Sequence, residues 1–199
     1  MEKIENLFRE QNLQKCMALL KSPQTLATGS LAPSFSLPSV DGKFYSLSSF
    51  KDVKAFLVIF MCNHCPYVIP KIKVMKDLQL HFKSRGLQVI GINANDPVAY
   101  PEDDLASMKK FAEENALNFP YLFDASQDVP KAYGAVCTPD PFLFDANKKL
   151  VYHGRFDDAL SPGETPATSD MADAIDAVLD GKRPEKDFLP SMGCSIKWK

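Results

Sequence analysis

The chain has 199 residues, of which 45% are hydrophobic and 24% are charged, and its formal net charge at pH 7 is −2. A chain of this length and composition can bury a hydrophobic core without covalent cross-links. The small net charge gives no electrostatic reason to expect nucleic acid or an anionic membrane surface as a partner, since both bind clustered basic residues.

Hydropathy predicts a protein that stays out of the membrane. The longest apolar run, residues 55–61, has the length of a strand, whereas a membrane-spanning helix needs roughly 20 apolar residues. The first residues, MEKIENLFREQNLQ, lack the apolar segment of a secretory signal. We therefore expect a cytoplasmic protein that binds neither membranes nor nucleic acid.

Hydrophobic periodicity first predicts an amphipathic helix over residues 3–21. Two short apolar alternations then flank Asp41-Gly42, a pattern typical of a β-hairpin. Residues 53–61 include the apolar run 55–61 and are predicted to form a strand buried on both faces of a sheet. A helix over about residues 62–83 and a strand over residues 87–95 are predicted next.

The second half of the chain continues this alternation of helices and strands. It predicts, in order, a helix at 103–116, a strand at 121–124, a short helix at 127–134, a hairpin at 141–156 and a helix at 169–182. This order predicts one α/β domain with a mixed central β-sheet flanked by helices, an N-terminal β-hairpin and an extra N-terminal helix. We expect its core at about residues 30–180, a helical extension at 1–24 and an irregular tail at 183–199.

The cysteine content indicates redox or metal chemistry. The chain has five cysteines, an odd number, and a chain of this size rarely depends on a disulfide framework. Cys62 and Cys65 are three residues apart in the motif CNHCP. In a reducing compartment, this spacing is more often catalytic or metal-binding than structural.

The position of this motif, between a strand and a helix, has an electrostatic consequence. Because the first N–H groups of a helix lack intrahelical partners, they stabilise a thiolate at its start. We expect Cys62, at the exposed tip, to have a lowered pKa and to act as the nucleophile. The more buried Cys65 would then resolve the mixed disulfide that Cys62 forms. Asn63 and His64 would tune the couple, His64 by making it more oxidising, and Pro66 fits the first helical turn.

Two other interpretations of the motif are open. One is a pair of packing cysteines at the start of a helix. The other is a metal site formed by Cys62 and Cys65 with either His64 or His153. A structural zinc site usually takes four ligands from two such knuckles, and the sequence has no second CxxC or HxxxH. We therefore predict no bound metal and no organic cofactor.

Four features of the sequence together resemble the thioredoxin superfamily. They are the apolar run leading into CNHCP, Pro70 five residues after the second cysteine, the segment LAPSFSLPSVDGKFYSLSSF, and VCTPDPFLFD before the last hairpin. The resemblance is to the redoxin branch, which includes the alkyl-hydroperoxide-reductase/thiol-specific-antioxidant (AhpC/TSA) proteins and the TlpA-like thiol–disulfide oxidoreductases. It covers about residues 30–180.

This resemblance implies a thiol–disulfide oxidoreductase with Cys62 as nucleophile and Cys65 as resolving cysteine. It also implies a cis bond before Pro139, which would bare the backbone of Thr138 for an extended substrate. Cys137, directly before Thr138-Pro139, would lie near enough to the two cysteines to take part in exchange, and a small buried packing residue is the alternative. The implied substrates are protein or low-molecular-weight disulfides, and the implied reductant is a dithiol protein or glutathione.

The chain also departs from the family pattern. The redoxin peroxidases carry Pro-x-x-x-Thr-x-x-Cys, and here Cys65 aligns with the peroxide-reacting cysteine while Cys62 replaces the threonine. This favours disulfide exchange, and a thiol peroxidase with Cys65 as peroxidatic cysteine is the alternative. A copper- or zinc-binding protein using Cys62, Cys65 and His153 is a further alternative.

Three remaining residues have simpler expectations. The buried acid of thioredoxins has no obvious counterpart, and Asp96 is our candidate proton acceptor. We expect Cys194, in the tail, to be a packed or idle thiol, and a second resolving thiol is the alternative. Cys16 is expected to belong to the core face of the first helix.

Overall fold

The computed structural model of the chain describes residues 18–199. In this range, the strands are β1 (Leu19–Lys21), β2 (Leu37–Pro38), β3 (Phe44–Tyr45), β4 (Ala55–Phe60), β5 (Leu87–Asn93), β6 (Tyr121–Phe123), β7 (Cys137–Thr138), β8 (Asp140–Asp145), β9 (Leu150–Gly154), β10 (Phe188–Leu189) and β11 (Met192–Ser195). The α-helices are α1 (Ile72–Phe82), α2 (Leu105–Glu114), α3 (Asp128–Tyr133) and α4 (Asp170–Leu179).

A six-stranded mixed sheet forms the centre of the fold, with the strand order β10–β9–β8–β4–β5–β6. Strand β4 is central, and it pairs in parallel with β5 and antiparallel with β8. All six residues of β4 are buried because helices cover both faces of the sheet. The CNHCP motif therefore follows the carboxyl end of β4, at the edge of a rigid core.

The side chains of β4 alternate between two hydrophobic clusters. Leu57 and Ile59 pack with residues of α1, α2 and α4 on one face. Phe56, Val58 and Phe60 pack with residues of α3 on the other face. This arrangement confirms the predicted α/β domain with a mixed central sheet between helices, and the short β2–β3 pair forms the predicted hairpin around Asp41.

The helix after the CNHCP motif begins later than predicted. We predicted a start near Cys62, but α1 begins at Ile72 and is preceded by a 3₁₀ turn, Ile69–Lys71. Pro70 explains the difference, because proline cannot donate an N–H and its ring conflicts with the carbonyl four residues earlier in a regular helix. Between the motif and this turn, the Val68 and Ile69 N–H groups donate to the Cys65 carbonyl.

The two ends of the chain also differ from the prediction. Most of the expected helix at 3–21, including Cys16, lies outside the described residues, and Leu19–Lys21 is a strand instead. The tail, expected to be irregular, contains β10 and β11. Strand β11 lies between β1 and β7 in a three-stranded antiparallel sheet, a pairing of distant segments that local periodicity cannot reveal.

Among residues 18–199, we find no helix with the length and apolar character needed to cross a membrane.

Candidate active site

The CNHCP motif lies beside the loop that precedes β8. The peptide bond between Thr138 and Pro139 in this loop is cis, which confirms the prediction. Cys62 is only 1% exposed and Cys65 is fully buried, and both pack in one cluster with Cys194 of β11. The prediction that Cys62 stands at an exposed tip is therefore wrong, because the C-terminal strand packs over the motif.

Both motif sulfurs contact Thr138. The Cys62 Sγ lies 3.4 Å from the Thr138 hydroxyl oxygen. The Cys65 thiol donates to the Thr138 carbonyl at 3.2 Å. The loop residue before the cis proline thus contacts the dithiol with its side chain and its backbone at once.

Hydrogen bonds move the pKa values of the two thiols in opposite directions. The pKa of Cys65 is lowered, first by the Cys194 thiol, then by the Cys62 thiol, and by the N–H groups of Cys194 and Tyr67. The pKa of Cys62 is raised well above its usual range by its hydrogen bond to Cys65, by burial and by the charge of Asp103. The lowered pKa that we predicted for Cys62 is therefore found at Cys65, whose sulfur accepts these hydrogen bonds.

A buried carboxylate, Asp103, organises the two residues between the cysteines. It accepts the Asn63 N–H at 2.8 Å, and its other oxygen lies 2.9 Å from the Nδ1 of His64. The amides of Asn93 and Asn95 donate to the same carboxylate. Asp103, and not Asp96, is thus the buried acid of the site.

The sequence offered little sign of Asp103. It stands in the run Glu102-Asp103-Asp104 before a helix, which is the usual pattern of a solvated helix start. Asp96, the predicted proton acceptor, uses its carboxylate to accept the Val98 N–H at 3.0 Å within its own turn.

The Asp103 carboxylate also affects the pKa of the His64 imidazole. Burial opposes its protonation, but the interaction with Asp103 and the charge of Glu102 outweigh burial and raise the pKa of His64. Likewise, burial would raise the pKa of Asp103, but contacts with His64 and the neighbouring amides lower it. His64 stacks on Tyr100 with ring centroids 5.7 Å apart, so this charged pair has a fixed geometry.

Two further predicted site residues occupy different positions around the dithiol. Pro66 begins the turn that follows Cys65 and is half-buried. Cys137 is fully buried on β7, and burial together with the charge of Asp140 raises its pKa well above the usual range. Adjacent strand residues point to opposite faces, so Cys137 faces away from the side that Thr138 presents to the motif.

In residues 18–199, the group of three side chains that could together hold a metal ion is Cys62, His64 and Asp103, whose ligand atoms lie within 4.8 Å of one another. This differs from the alternative set of Cys62, Cys65 and His153. The Nε2 of His153 lies 2.8 Å from the buried carboxylate of Asp140. The contacts of Asp103 with His64 and three amide groups already occupy its oxygens, which favours proton and charge control over metal binding.

A cavity of about 150 Å³ opens beside the cis proline. Its lining includes Tyr67, Lys71, Pro139, Phe156, Asp157 and Met192. Tyr67, two residues after Cys65, lies in this lining, whereas neither motif cysteine does.

Comparison with known sequences supports a redox function. The model of the AhpC/TSA family matches residues 28–153. The thiol-disulfide oxidoreductase ResA of Geobacillus thermodenitrificans is 29% identical over 127 residues, which are 63% of this chain and 67% of that protein. The chloroplastic peroxiredoxin Q of Triticum aestivum is 33% identical over 149 residues, which are 70% of this chain and 65% of that protein.

Comparison with solved structures supports the fold. An uncharacterized conserved protein from Geobacillus kaustophilus is 41% identical with a TM-score of 0.87, and the match covers 92% of this chain and 97% of that one. The thioredoxin domain of a thiol-disulfide oxidoreductase from Bacteroides vulgatus is 26% identical with a TM-score of 0.56. The match covers 65% of this chain and 89% of that one. The fold is therefore thioredoxin-like, as predicted.

Proposed function

We propose that this chain, which belongs to the AhpC/TSA family and is an oxidoreductase, exchanges disulfides through a redox couple formed by Cys62 and Cys65. The observation that carries the proposal is that both buried sulfurs contact Thr138 beside the cis Thr138–Pro139 bond. The two cysteines are three residues apart in one turn, so we expect them to form a disulfide with little movement of the backbone.

The reduced couple holds one proton between its sulfurs. Because Cys65 is the more acidic thiol, the resting state is a Cys62 thiol that donates to a Cys65 thiolate. Transfer of this proton along the hydrogen bond gives a Cys62 thiolate, which attacks one sulfur of a substrate disulfide. The substrate disulfide breaks, a Cys62 mixed disulfide forms, and the leaving thiolate takes up the proton from Cys65, which is again a thiolate.

Cys65 then completes the exchange. As a thiolate, it attacks the Cys62 sulfur, the mixed disulfide breaks, and the second substrate thiol leaves with a proton from solvent. The protein ends with a Cys62–Cys65 disulfide, and two electrons have passed to the substrate. The lowered pKa of Cys65 supports this resolving role, since the attacking sulfur is already ionised.

The surroundings of Cys62 suit the attacking role. A nitrogen of His64 and an oxygen of Asp103 lie within 4.8 Å of its sulfur. A protonated His64 favours the anion on Cys62 at the moment of attack, while Asp103 opposes it at rest. Substrates of this kind are protein or low-molecular-weight disulfides, and a dithiol protein or glutathione of the cytoplasm would regenerate the dithiol.

Trapping of mixed disulfides tests these roles. Cys65→Ser should accumulate a mixed disulfide on Cys62 when it is incubated with a small disulfide, because the resolving sulfur is missing. Cys62→Ser should form its adduct, on Cys65, far more slowly, and both variants should lose turnover. Equal rates of trapping by the two variants, measured by mass spectrometry, would contradict the assignment of nucleophile and resolving cysteine.

The acidity of Cys65 also favours a second candidate function, hydroperoxide reduction. Cys65 aligns with the peroxide-reacting cysteine of the redoxin peroxidases, and it is the sulfur whose pKa is lowered. In this reaction the hydroperoxide would oxidise the Cys65 thiolate to a sulfenic acid. The Cys62 thiol would then condense with this sulfenic acid to give a Cys62–Cys65 disulfide and water. Rapid stoichiometric loss of hydrogen peroxide on mixing with the reduced protein would support it, and slow loss would exclude it as the main activity.

A further inference from the structure

The structure brings a third cysteine, Cys194, to the dithiol. Cys194 lies on β11 and is 2% exposed. Its thiol and its N–H both donate hydrogen bonds to the Cys65 sulfur. Cys62, Cys65 and Cys194 thus form one buried group of three sulfurs around Thr138.

The backbone of β11 is fitted closely to the cis-proline loop. Cys194 pairs with Thr138 and Ser195 with Cys137 in antiparallel register. A Cβ on Gly193 would lie 1.9 Å from the Thr138 carbonyl oxygen, so only glycine permits this approach. Strand β11 is therefore an integral part of the site.

Hydrogen bonds on both sides of Cys194 hold this strand in place. The Ser22 N–H donates to the Ser191 carbonyl at 3.0 Å, and the Ile196 N–H donates to the Val136 carbonyl at 2.9 Å. The Lys197 N–H donates to Asn95, which itself donates to Asp103. The tail is thus connected to the same carboxylate that holds His64.

An extended polypeptide substrate would pair with the backbone of Thr138 in the way that β11 does. In the register observed, Cys194 occupies the position that the reacting cysteine of such a substrate would take. We propose that Cys194 is a third redox thiol of the site, which exchanges with the Cys62–Cys65 disulfide as an internal substrate. This inference rests on the proposed function and extends it.

The exchange is a disulfide isomerisation that needs no external oxidant or reductant. The Cys194 thiol loses its proton, and its sulfur attacks the Cys65 sulfur of the Cys62–Cys65 disulfide. The Cys62–Cys65 bond breaks, a Cys65–Cys194 bond forms, and Cys62 leaves as a thiolate that takes up the proton. The oxidised state then lies between the motif and the C-terminal strand, and Cys62 is free to react again.

Cys137 is the natural comparison because it is also buried and lies next to Thr138. It faces away from the motif sulfurs, and it is not part of the cluster that contains Cys62, Cys65 and Cys194. The geometry therefore assigns exchange to Cys194 and none to Cys137.

Oxidation of Cys62→Ser by oxidised glutathione tests this inference on the full chain. Glutathione should first form a mixed disulfide with Cys65, which Cys194 then displaces, so that peptide mapping finds a Cys65–Cys194 disulfide and released glutathione. The double variant Cys62→Ser/Cys194→Ser should stop at the glutathione adduct. The matched control Cys62→Ser/Cys137→Ser should give the Cys65–Cys194 disulfide as Cys62→Ser does.

The outcomes separate this inference from the proposed function. If wild type forms Cys62–Cys65 but Cys62→Ser keeps its glutathione adduct and an alkylatable Cys194, the inference is overturned and the proposed function stands. If neither wild type nor Cys194→Ser forms a Cys62–Cys65 disulfide, the proposed function fails. Should the variants not fold, mapping of oxidised wild type decides: a Cys65–Cys194 peptide supports the inference, and its absence overturns it.

Discussion

At the residue scale, the acidity of Cys65 depends on hydrogen bonds that converge on its sulfur from Cys194, Cys62 and two backbone amides. As a thiol, Cys65 donates its proton to the Thr138 carbonyl. Because the anion has more partners than the thiol, the ionised form is favoured even though the site is buried. Cys62 is then the sulfur that keeps the shared proton.

This asymmetry predicts where the thiolate lies. The reduced protein at neutral pH should show the ultraviolet absorbance of one thiolate, and Cys65→Ser should abolish it because no other sulfur receives these hydrogen bonds. Cys62→Ser should retain it. An absorbance that disappears with Cys62→Ser and persists in Cys65→Ser would show that the anion lies on the other sulfur.

The pair of His64 and Asp103 predicts how stability depends on pH. Because the pKa of His64 is raised, its contribution is complete below 6.5, its ordinary value, and is lost as the pH rises through the raised pKa. Because the pKa of Asp103 is lowered, its contribution is complete above 3.8 and is lost as the pH falls through the lowered pKa. The pair therefore stabilises the fold most in the window between these two limits.

Asp103→Asn should remove both effects. We expect a loss of about 3 kcal/mol in the free energy of unfolding at pH 6, since one partner of a buried charged pair is removed. The fall in stability above pH 6.5 should also flatten, as measured by denaturant unfolding over a pH series. The neighbouring Asp104→Asn is the matched control, since Asp104 caps α2 and asparagine caps about equally well. An unchanged pH profile in Asp103→Asn would contradict this account.

At the scale of elements, β11 connects the chain's C-terminal segment to the site. It pairs with β7 on one side and β1 on the other, and it brings Cys194 to Cys65. Asn95 links this strand to Asp103, so the strand and the charged pair share one hydrogen-bond network. A change that displaces β11 should therefore alter the surroundings of the Cys65 and Cys194 sulfurs.

Gly193→Ala should displace the strand. The added Cβ would meet the Thr138 carbonyl oxygen, so we expect a loss of about 1–3 kcal/mol in stability. Alkylation of Cys65 and Cys194 in the reduced protein should become faster as they gain access to solvent. Ser195→Ala, on the same strand, should leave both properties close to wild type. Equally slow alkylation in Gly193→Ala and wild type would mean that β11 does not cover the sulfurs.

The elements differ in how far the sequence predicts them. Strand β4 and helices α2 and α4 follow from apolar runs and helical periodicity, and the cis bond at Pro139 follows from family resemblance. The late start of α1 comes from Pro70, whose position is visible but whose effect on the first turn depends on packing. The pairing of β1 with β11 joins segments about 170 residues apart, which no local pattern encodes. The same holds for Asp103 and Cys194, whose roles arise only from tertiary contacts.

At the scale of the whole molecule, the dithiol is closed off from large partners. Cys62 and Cys65 are buried, and β11 already pairs with the backbone edge at Thr138. A polypeptide would have to displace β11 to pair there, whereas a small disulfide would not. We expect such a molecule to approach through the cavity beside Pro139, which Tyr67 also lines.

The reduced protein should therefore prefer small disulfides to polypeptide disulfides. We expect the second-order rate constant for hydroxyethyl disulfide to exceed that for insulin by at least about tenfold, the factor that corresponds to 1.4 kcal/mol of strand displacement. Both rates should be measured with the same reductant and corrected with Cys62→Ser. Equal rates for the two substrates would indicate that the strand does not limit access.

The most direct test of the proposed redox couple is a titration of the full chain in glutathione redox buffers, with alkylation and mass spectrometry of each cysteine. In the variant Cys194→Ser, where Cys194 cannot compete for Cys65, Cys62 and Cys65 should become protected from alkylation together, along one two-electron curve. If one of these cysteines is oxidised while the other stays reduced at every potential, the two sulfurs do not form a couple.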